Sequence, residues 1–280
     1  MSEAFPQGPL VEAEWLRAHL TDVRVVDVRW YLDGRSGRDA YLAGHIPGAV
    51  WADIDHDLSA PAAPIAGRHP LPSPADFAAA LGRLGISNGD TVVAYDDASG
   101  SIAGRLWWML DSIGERAYVL DGGIGTWIGA LDRDGAVTPE PREFSASPWP
   151  PERFADADEV DRLRRESPLL DARAFSRFTG DEPSVDAVPG HVPGARSAPW
   201  SENVDPETGR FLPADVLRRR FAALGVEDGS RAITSCGSGV TACHDLLALR
   251  LAGFGDGALY TGSWSGWSSD PDRPVALGSE

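Results

Sequence analysis

The sequence predicts an α/β protein with two homologous domains, each a mainly parallel sheet flanked by helices. Three observations indicate this fold. Short β-branched runs alternate along the chain with segments of helical periodicity, an order that produces parallel strands covered by helices on both faces. Three sequence motifs occur twice, in the same order. The stretch between the two sets of motifs is rich in proline, as in an interdomain linker.

The first half of the chain contains three predicted strands and two predicted helices. The strands are VRVVDVR (23–29), TVVAYD (91–96) and AYVLDG (117–122). The helices are ADFAAALGRLG (75–85) and IAGRLWWMLDSIG (102–114).

The second half repeats this order of elements. Its strands are PLLDAR (168–173), RAITSC (231–236) and GALYTG (257–262). Its helices are ADVLRRRFAALG (214–225) and GVTACHDLLALRLAG (239–253). Ligands of such sheets bind at the carboxyl ends of the strands, so RAITSC ends at the functional edge of its domain.

The duplication is visible in three paired motifs. GHIPGA returns as GHVPGA, ALGRLGISNGDTVVAYD as FAALGVEDGSRAITSC, and LDGGIGTW as YTGSWSGW. Chance could produce one such match, but three in the same order indicate two homologous domains. Five prolines fall between positions 139 and 151, between the two copies. We therefore expect an N-terminal domain at 1–135, a linker at 136–155 and a C-terminal domain at 156–280.

The composition is that of a globular protein with an acidic surface. Hydrophobic residues make up 42% of the chain and charged residues 24%, and the formal net charge is −17. This charge disfavours binding to nucleic acid or to an anionic membrane, so an anionic ligand needs locally placed arginines. The sequence shows no secretory signal and no apolar run of the roughly 18 to 20 residues that a membrane span needs. We expect a cytoplasmic protein.

Both cysteines lie in the segment ITSCGSGVTACHDLL. Cys236 falls where a strand ends and a helix begins, and Gly237 and Gly239 can expose backbone NH groups beside it. Such NH groups and a helix N-terminus stabilise negative charge, so the loop predicts a nucleophilic thiolate at Cys236. The alternative is a cysteine that only fills space, which is the interpretation we adopt for Cys243. Both thiols should be reduced, because about two helical turns separate them.

Four features together resemble the tandem-domain rhodanese superfamily: the duplication, the GHxPGA motif, the terminal YTGSWSGW and the loop CGSGVTA (236–242). The loop is similar to that of the 3-mercaptopyruvate sulfurtransferases. The resemblance covers nearly the whole chain and implies an active C-terminal domain beside an inactive N-terminal one. Asp96, which cannot attack sulfur, stands at the position that matches Cys236.

The resemblance implies a sulfur transfer in two steps. The Cys236 thiolate first takes a sulfur atom from a small-molecule donor and forms a persulfide. The outer sulfur then passes to a thiol, such as thioredoxin or a small thiol, or to cyanide. The resemblance implies no metal and no organic cofactor. It also implies that loop residues cradle the persulfide: Gly237, Gly239, Val240 and Thr241.

Three further residues take catalytic roles from the resemblance alone. Ser238 matches a residue assigned to hydrogen bonding or proton transfer at the donor, although its position equally fits a polar turn residue. Asp55, in WADID, and His69, in GRHPLP, match residues of the N-terminal domain that reach the active site in mercaptopyruvate enzymes. Without the resemblance, each would be taken for an ordinary loop residue.

The expected donor depends on arginines. Arg177, in FSRFTG, matches a family arginine that binds the substrate carboxylate, although a surface salt bridge is the alternative. The family commonly has a second arginine about nine residues later, where this chain has Asp186. Arg68 or Arg196 could compensate. Thiosulfate-specific members place basic residues directly after the cysteine and this loop has none, so we expect 3-mercaptopyruvate as donor, with thiosulfate as the alternative.

Two other functions compete with turnover of a sulfur donor. Cysteine-loop phosphatases also place a thiolate below a ring of NH groups, but their loop ends in an arginine where this chain has Ala242. A persulfide carrier or binding module with little turnover would have the same sequence features as an enzyme. The sequence therefore disfavours a phosphatase and leaves the carrier open.

Residues that occur in both copies are predicted to be structural, because only one copy is expected to be active. His45 and His191 belong to the paired GHxPGA segments, and Asp27 and Asp171 to the paired DVR and DAR segments. The tryptophans of YTGSWSGW are predicted to pack in the core.

Overall fold

The computed structural model describes residues 5–181 and 188–279, which contain two five-stranded sheets. The first sheet lies in the N-terminal half, and all of its strand pairs are parallel. Its strands follow the order β1-β5-β4-β2-β3. They are Leu10–Val11 (β1), Arg24–Asp27 (β2), Val50–Trp51 (β3), Val92–Tyr95 (β4) and Ala117–Leu120 (β5).

The second sheet repeats this arrangement in the C-terminal half. Its order is β6-β10-β9-β7-β8, and its strand pairs are again parallel. Its strands are Phe154–Ala155 (β6), Leu169–Asp171 (β7), Arg196–Ser197 (β8), Ile233–Ser235 (β9) and Ala258–Tyr260 (β10). The order matches that of the first sheet strand by strand, so the prediction of two homologous α/β domains is confirmed.

Helices flank both sheets. Those of the N-terminal half are Ala13–Ala18 (α1), Gly37–Ala43 (α2), Pro74–Arg83 (α3) and Ala103–Ser112 (α4). Those of the C-terminal half are Ala157–Leu163 (α5), Phe175–Thr179 (α6), Ala214–Ala223 (α7), Ala242–Leu251 (α8) and Ser263–Trp267 (α9). No helix within the described ranges combines the length and apolar character needed to cross a membrane.

The predicted strands correspond to β2, β4, β5, β7, β9 and β10, and the predicted helices to α3, α4, α7 and α8. One boundary differs in a way that matters for function. Helix α8 begins at Ala242, three residues after Gly239, where it was predicted to begin. The glycine turns there at φ +82° and leaves the preceding residues as a loop. The two-residue edge strands and the short helices were not predicted, because they are too brief to show a period.

The two halves share one hydrophobic core, which runs through the contact between α4 and α8. Leu106 and Trp107 of α4 belong to the same buried cluster as Leu246 and Leu249 of α8. The helices approach closely at Gly104, where a Cβ would lie 3.3 Å from the backbone nitrogen of His244. Each of these helices follows the strand and loop that carry Asp96 or Cys236, so the N-terminal domain lies directly behind the cysteine loop.

The proline-rich segment has no regular secondary structure before a 3₁₀ turn at Pro151–Arg153. It runs along the N-terminal half of the molecule. The indole nitrogen of Trp149 donates a hydrogen bond to the carbonyl of Pro72 at 2.8 Å, and the ring stacks on Trp108. The exact limits of the domains and of the linker stay predictions.

Candidate active site

Cys236 lies at the carboxyl end of β9, and only 2% of the residue is exposed. Its Sγ accepts hydrogen bonds from the backbone NH of Gly239 at 3.1 Å and of Ser238 at 3.5 Å. A Cβ on Gly239 would lie 2.8 Å from the carbonyl oxygen of Thr261, so only glycine fits this turn without a shift of the backbone. The loop therefore directs backbone donors at the sulfur, an arrangement that favours a thiolate.

The segment YTGSWSGW holds the cysteine loop in place. The backbone NH of Cys236 donates to Oγ of Ser263 at 3.1 Å, and its carbonyl accepts from the NH of Trp264 at 3.0 Å. The NH of Ser265 donates to the carbonyl of Gly237 at 2.9 Å. Both tryptophans of α9 are buried, as the packing interpretation predicts. The hydrogen bonds by which the same motif anchors the loop were not predicted from the sequence.

Ser238, His69 and Asp55 form a hydrogen-bonded chain beside the loop. Nδ1 of His69 lies 2.7 Å from Oγ of Ser238, and Nε2 lies 2.8 Å from Oδ1 of Asp55. Because a carboxylate can only accept, Nε2 carries the proton and Nδ1 accepts from the Ser238 hydroxyl. Burial lowers the pKa of His69, and its hydrogen bond to Asp55 offsets this only in part. The imidazole is therefore neutral at neutral pH.

Trp30 supports this chain from the loop that follows β2. Its indole nitrogen donates a hydrogen bond to Oδ2 of Asp55 at 3.0 Å. Its ring lies edge-on to the imidazole of His69, with 5.2 Å between the ring centroids. The backbone NH of Asp55 donates to Oδ1 of Asp53 at 2.9 Å. Trp30 was not predicted from the sequence, although its position directly after a strand's carboxyl end was an available signal.

Two arginine side chains converge on the loop at Gly237. A Cβ on this glycine would lie 2.9 Å from Nη2 of Arg68 and 3.1 Å from Nη2 of Arg177. Arg196, by contrast, donates to the carbonyl of Leu224, which lies before the strand β9 rather than after it. The structure thus brings Arg68 and Arg177 to the site, and Arg196 is not a second arginine for it.

The remaining predicted residues lie in the turn after the loop or outside the described part of the chain. Val240 is buried, and together with Thr241 it forms the turn that leads from the loop into α8. Asp186, which occupies the position of the second family arginine, lies outside the described residues.

Arg105 of α4 reaches the loop from the N-terminal domain and is completely buried. Its Nη1 donates to the carbonyl of Gly239 at 3.0 Å, and its Nη2 donates to the carbonyls of His69 at 3.1 Å and Leu58 at 3.3 Å. The Cys243 thiol also donates to the Gly239 carbonyl, at 3.5 Å, and burial raises the pKa of that thiol to about 12. Arg105 was not predicted from the sequence, although an arginine within the apolar helix IAGRLWWMLDSIG was an available signal.

Asp96 occupies the position of Cys236 in the N-terminal domain, at the end of β4. Its carboxylate is completely buried and accepts four backbone hydrogen bonds at 2.8 to 2.9 Å. The donors are the NH groups of Ala98, Gly100, Ile102 and Ala103. The same loop therefore surrounds a carboxyl group in the domain that lacks the cysteine. Burial raises the pKa of this carboxyl, and the four NH groups oppose the shift.

Residues that occur in both copies have structural partners. Nδ1 of His45 lies 3.0 Å from a backbone carbonyl oxygen, and Nδ1 of His191 lies 2.9 Å from another. Asp27 and Asp171 each form a buried ion pair with the arginine two positions later. These contacts are those expected of residues that hold the sheet ends together.

The family model described as the Rhodanese-like domain matches the chain twice, over residues 12–130 and 156–270. A Pseudomonas aeruginosa protein named "Probable 3-mercaptopyruvate sulfurtransferase" is 43% identical over 96% of this chain and 98% of its own. The Escherichia coli 3-mercaptopyruvate sulfurtransferase is 37% identical over 95% of this chain and 96% of its own. An Arabidopsis thaliana protein named "Thiosulfate/3-mercaptopyruvate sulfurtransferase 1, mitochondrial" is 32% identical over 95% of this chain and 78% of its own.

A solved structure gives the same result. The crystal structure of a 3-mercaptopyruvate sulfotransferase from Escherichia coli superimposes with a TM-score of 0.80 and 35% identity, over 92% of this chain and 99% of the other. The resemblance that the sequence motifs indicated is confirmed, as is the two-domain fold. The chain belongs to the rhodanese family and carries two copies of its domain.

Proposed function

We propose that this chain is a sulfurtransferase that moves a sulfane sulfur from 3-mercaptopyruvate, through a persulfide on Cys236, to a thiol or cyanide. The observation that carries the proposal is the position of the Cys236 sulfur. It accepts two backbone NH hydrogen bonds beside the chain of Ser238, His69 and Asp55. A candidate nucleophile, a candidate proton relay and two cationic side chains thus lie along one loop, a combination that supports group transfer.

In the first step, the Cys236 thiolate attacks the donor sulfur, and the bond between that sulfur and carbon breaks. The electron pair goes to carbon and leaves the enolate of pyruvate. Through Ser238, the neutral His69 can accept the proton of the donor thiol, and Asp55 then stabilises the imidazolium. The proton returns to the enolate carbon, so the products are pyruvate and the persulfide anion.

Arg68 and Arg177 support the choice of donor. Both guanidinium groups lie at Gly237, where a planar carboxylate of the donor could be bound in bidentate fashion. This pairing gives the site a second arginine in a chain whose sequence lacks the usual one.

In the second step, an acceptor thiolate or cyanide attacks the outer sulfur, the S–S bond breaks and the Cys236 thiolate is regenerated. Before that attack, the backbone NH groups from Gly237 to Thr241 are the donors that would hold the persulfide anion. Thioredoxin, a small thiol and cyanide all fit this chemistry. Both cysteines are free thiols, which suits a reducing compartment such as the cytoplasm, where we propose that the protein works.

Thiosulfate is the second candidate donor. The Arabidopsis relative is named for both donors, and two arginines at the loop also suit a dianion. A carrier that holds the persulfide with little turnover is the remaining alternative.

Turnover of 3-mercaptopyruvate and of thiosulfate, measured in parallel with dithiothreitol or cyanide as acceptor, tests the proposal. We expect kcat/KM to be at least about tenfold higher for 3-mercaptopyruvate, and Cys236→Ser to have no turnover. Arg177→Met should raise KM for 3-mercaptopyruvate about tenfold to a hundredfold, because a charge-assisted bidentate contact is lost. Arg196→Met, which removes an arginine outside the site, is the matched control.

Each alternative has its own outcome in this experiment. A higher kcat/KM for thiosulfate would show that the proposed donor is wrong. Persulfide formation on Cys236, detected by mass, without turnover of either donor would favour the carrier.

A further inference from the structure

Arg105 differs from the other completely or almost completely buried arginines in its partners. Arg29 and Arg173 each form an ion pair with the carboxylate two positions before them. The guanidinium of Arg105 donates to three backbone carbonyls instead, and within the described part of the chain no carboxylate pairs with it. A buried cation without an anion is unfavourable, because carbonyl dipoles replace only part of its hydration.

The groups that can offset the free-energy cost of burying the Arg105 guanidinium are the thiols of Cys243 and Cys236, when ionised. Burial lowers the pKa of Arg105, and the negative groups that raise it again are the thiolate forms of Cys243 and Cys236. Cys243 cannot supply this charge near neutral pH, because burial raises its own pKa to about 12. The thiolate that Cys236 forms in the proposed reaction is the remaining negative group that can offset the cost of burying Arg105.

Contacts along the backbone connect Arg105 to the sulfur. Gly239 donates its NH to Sγ of Cys236 and accepts from Arg105 at its carbonyl. The second guanidinium nitrogen holds the carbonyl of His69, whose imidazole accepts from Ser238. Arg105 thus fixes the loop that binds the sulfur and the segment that carries the histidine at the same time.

We propose that Arg105, a residue of the N-terminal domain, is the buried counter-cation of the Cys236 thiolate and a positioning residue for the cysteine loop. The proposal rests on the proposed role of Cys236 as the nucleophile. Arg68 and Arg177 also lie at the loop, but they are half-buried, so solvent screens their charges more strongly. His69 is neutral and adds no charge.

The rate at which iodoacetamide alkylates Cys236 tests the proposal without any sulfur donor, so it is independent of the turnover experiment. Arg105→Met should lower the rate at least about tenfold at about pH 6.5, and by no more than about twofold at about pH 10, where the thiol ionises in either protein. Arg105→Lys keeps the charge and should recover most of the rate at the lower pH. It should still have a reduced kcat, because lysine lacks the planar fork that holds two carbonyls.

The controls are Cys236→Ser, which should not be alkylated, and Arg83→Met, which removes an exposed arginine of the same domain. Equal alkylation of folded Arg105→Met and wild type at the lower pH would overturn the proposal. If Arg105→Met does not fold, Arg105→Lys decides. A loss of about tenfold in its alkylation rate at the lower pH, although the charge is kept, would contradict the role of Arg105 as the counter-cation.

Discussion

His69 has one hydrogen-bond partner on each ring nitrogen, so its neighbours set its tautomer. Ser238 and Asp55 together require the proton on Nε2 and a free lone pair on Nδ1. Because burial lowers the pKa of the imidazole, the neutral form persists at mildly acid pH, where an ordinary histidine is protonated. In the proposed mechanism, the transfer of a proton through Ser238 therefore depends on Asp55, which Ser238 does not contact.

Asp55→Asn tests this dependence. Asparagine can donate to Nε2, which moves the ring proton to Nδ1, so the imidazole can no longer accept from Ser238. We expect kcat with 3-mercaptopyruvate to fall by about a hundredfold or more, while alkylation of Cys236 by iodoacetamide changes little. Asp33→Asn, in an exposed loop where Asp33 pairs with Arg35, is the control. A change in KM alone would contradict this role of Asp55.

The residues of the site differed in how far the sequence could predict them. Cys236 was identified from its position between a strand and a glycine-rich turn, which is a local signal. Ser238, His69 and Asp55 came from resemblance alone, because loop residues far apart in sequence carry no mark of their contact. Arg105 and Trp30 were missed since a charged or aromatic residue acquires its role only from partners on other elements.

The loop between β9 and α8 is the element on which the site depends. Its glycine at position 239 combines a positive φ with a close approach to the carbonyl of Thr261. A side chain there would force the loop away from α9, which holds it through Ser263 and Trp264. The NH groups therefore point at the Cys236 sulfur only because position 239 has no Cβ atom.

Comparison of Gly239→Ala with Gly255→Ala distinguishes the cost of backbone strain from the cost of the clash with the Thr261 carbonyl. Both glycines have positive φ, but a Cβ on Gly255 would meet no atom within 4 Å. We expect Gly255→Ala to cost about 1–2 kcal/mol of stability from the backbone conformation alone and to keep its turnover. Gly239→Ala should cost more and lower kcat at least about tenfold, because the donors no longer point at the sulfur. Equal effects in urea unfolding and turnover would contradict this account.

The central strands and the long helices were predicted from the sequence because each has a clear period. The edge strands β1, β3, β6 and β8 have two residues each. Such short segments show no period in the sequence and become strands only by pairing with a neighbouring strand. The short helix α9 lies in a motif that was predicted to pack, and its tryptophans do pack. Its hydrogen bonds to the cysteine loop depend on tertiary contact, which no local pattern reports.

The proposed catalytic groups lie on both domains, so the proposed activity requires that the two be held together. The core across α4 and α8 supplies one link. A second is an ion-pair network in which Asp111 of α4 binds Arg250 of α8 at 2.5 and 2.6 Å and Arg153 at 2.9 Å. Both arginines also bind Asp256. The sequence predicted two domains but carried no signal for these contacts.

Asp111→Asn should weaken this link. Without the Asp111 carboxylate, the partly buried Arg153 and Arg250 keep only Asp256 as a partner. We therefore expect the free energy of unfolding to fall by about 1–2 kcal/mol and Tm to fall by a few degrees. About 1 M NaCl should reduce the difference from wild type, because salt screens partly exposed charges. Asp215→Asn removes an exposed pair within α7 and should change stability little. Equal melting of the two variants would argue against the network as an interdomain link.

The carboxyl group of Asp96 has a consequence for the stability of the N-terminal domain. Four NH groups that converge on one point repel each other unless an acceptor lies among them, so an empty loop would destabilise the fold. Asp96 fills this space and accepts from all four NH groups, so its loop requires no bound anion. In the proposed mechanism, the N-terminal domain then contributes to the cysteine site through Arg105, His69 and Asp55 rather than through a nucleophile of its own.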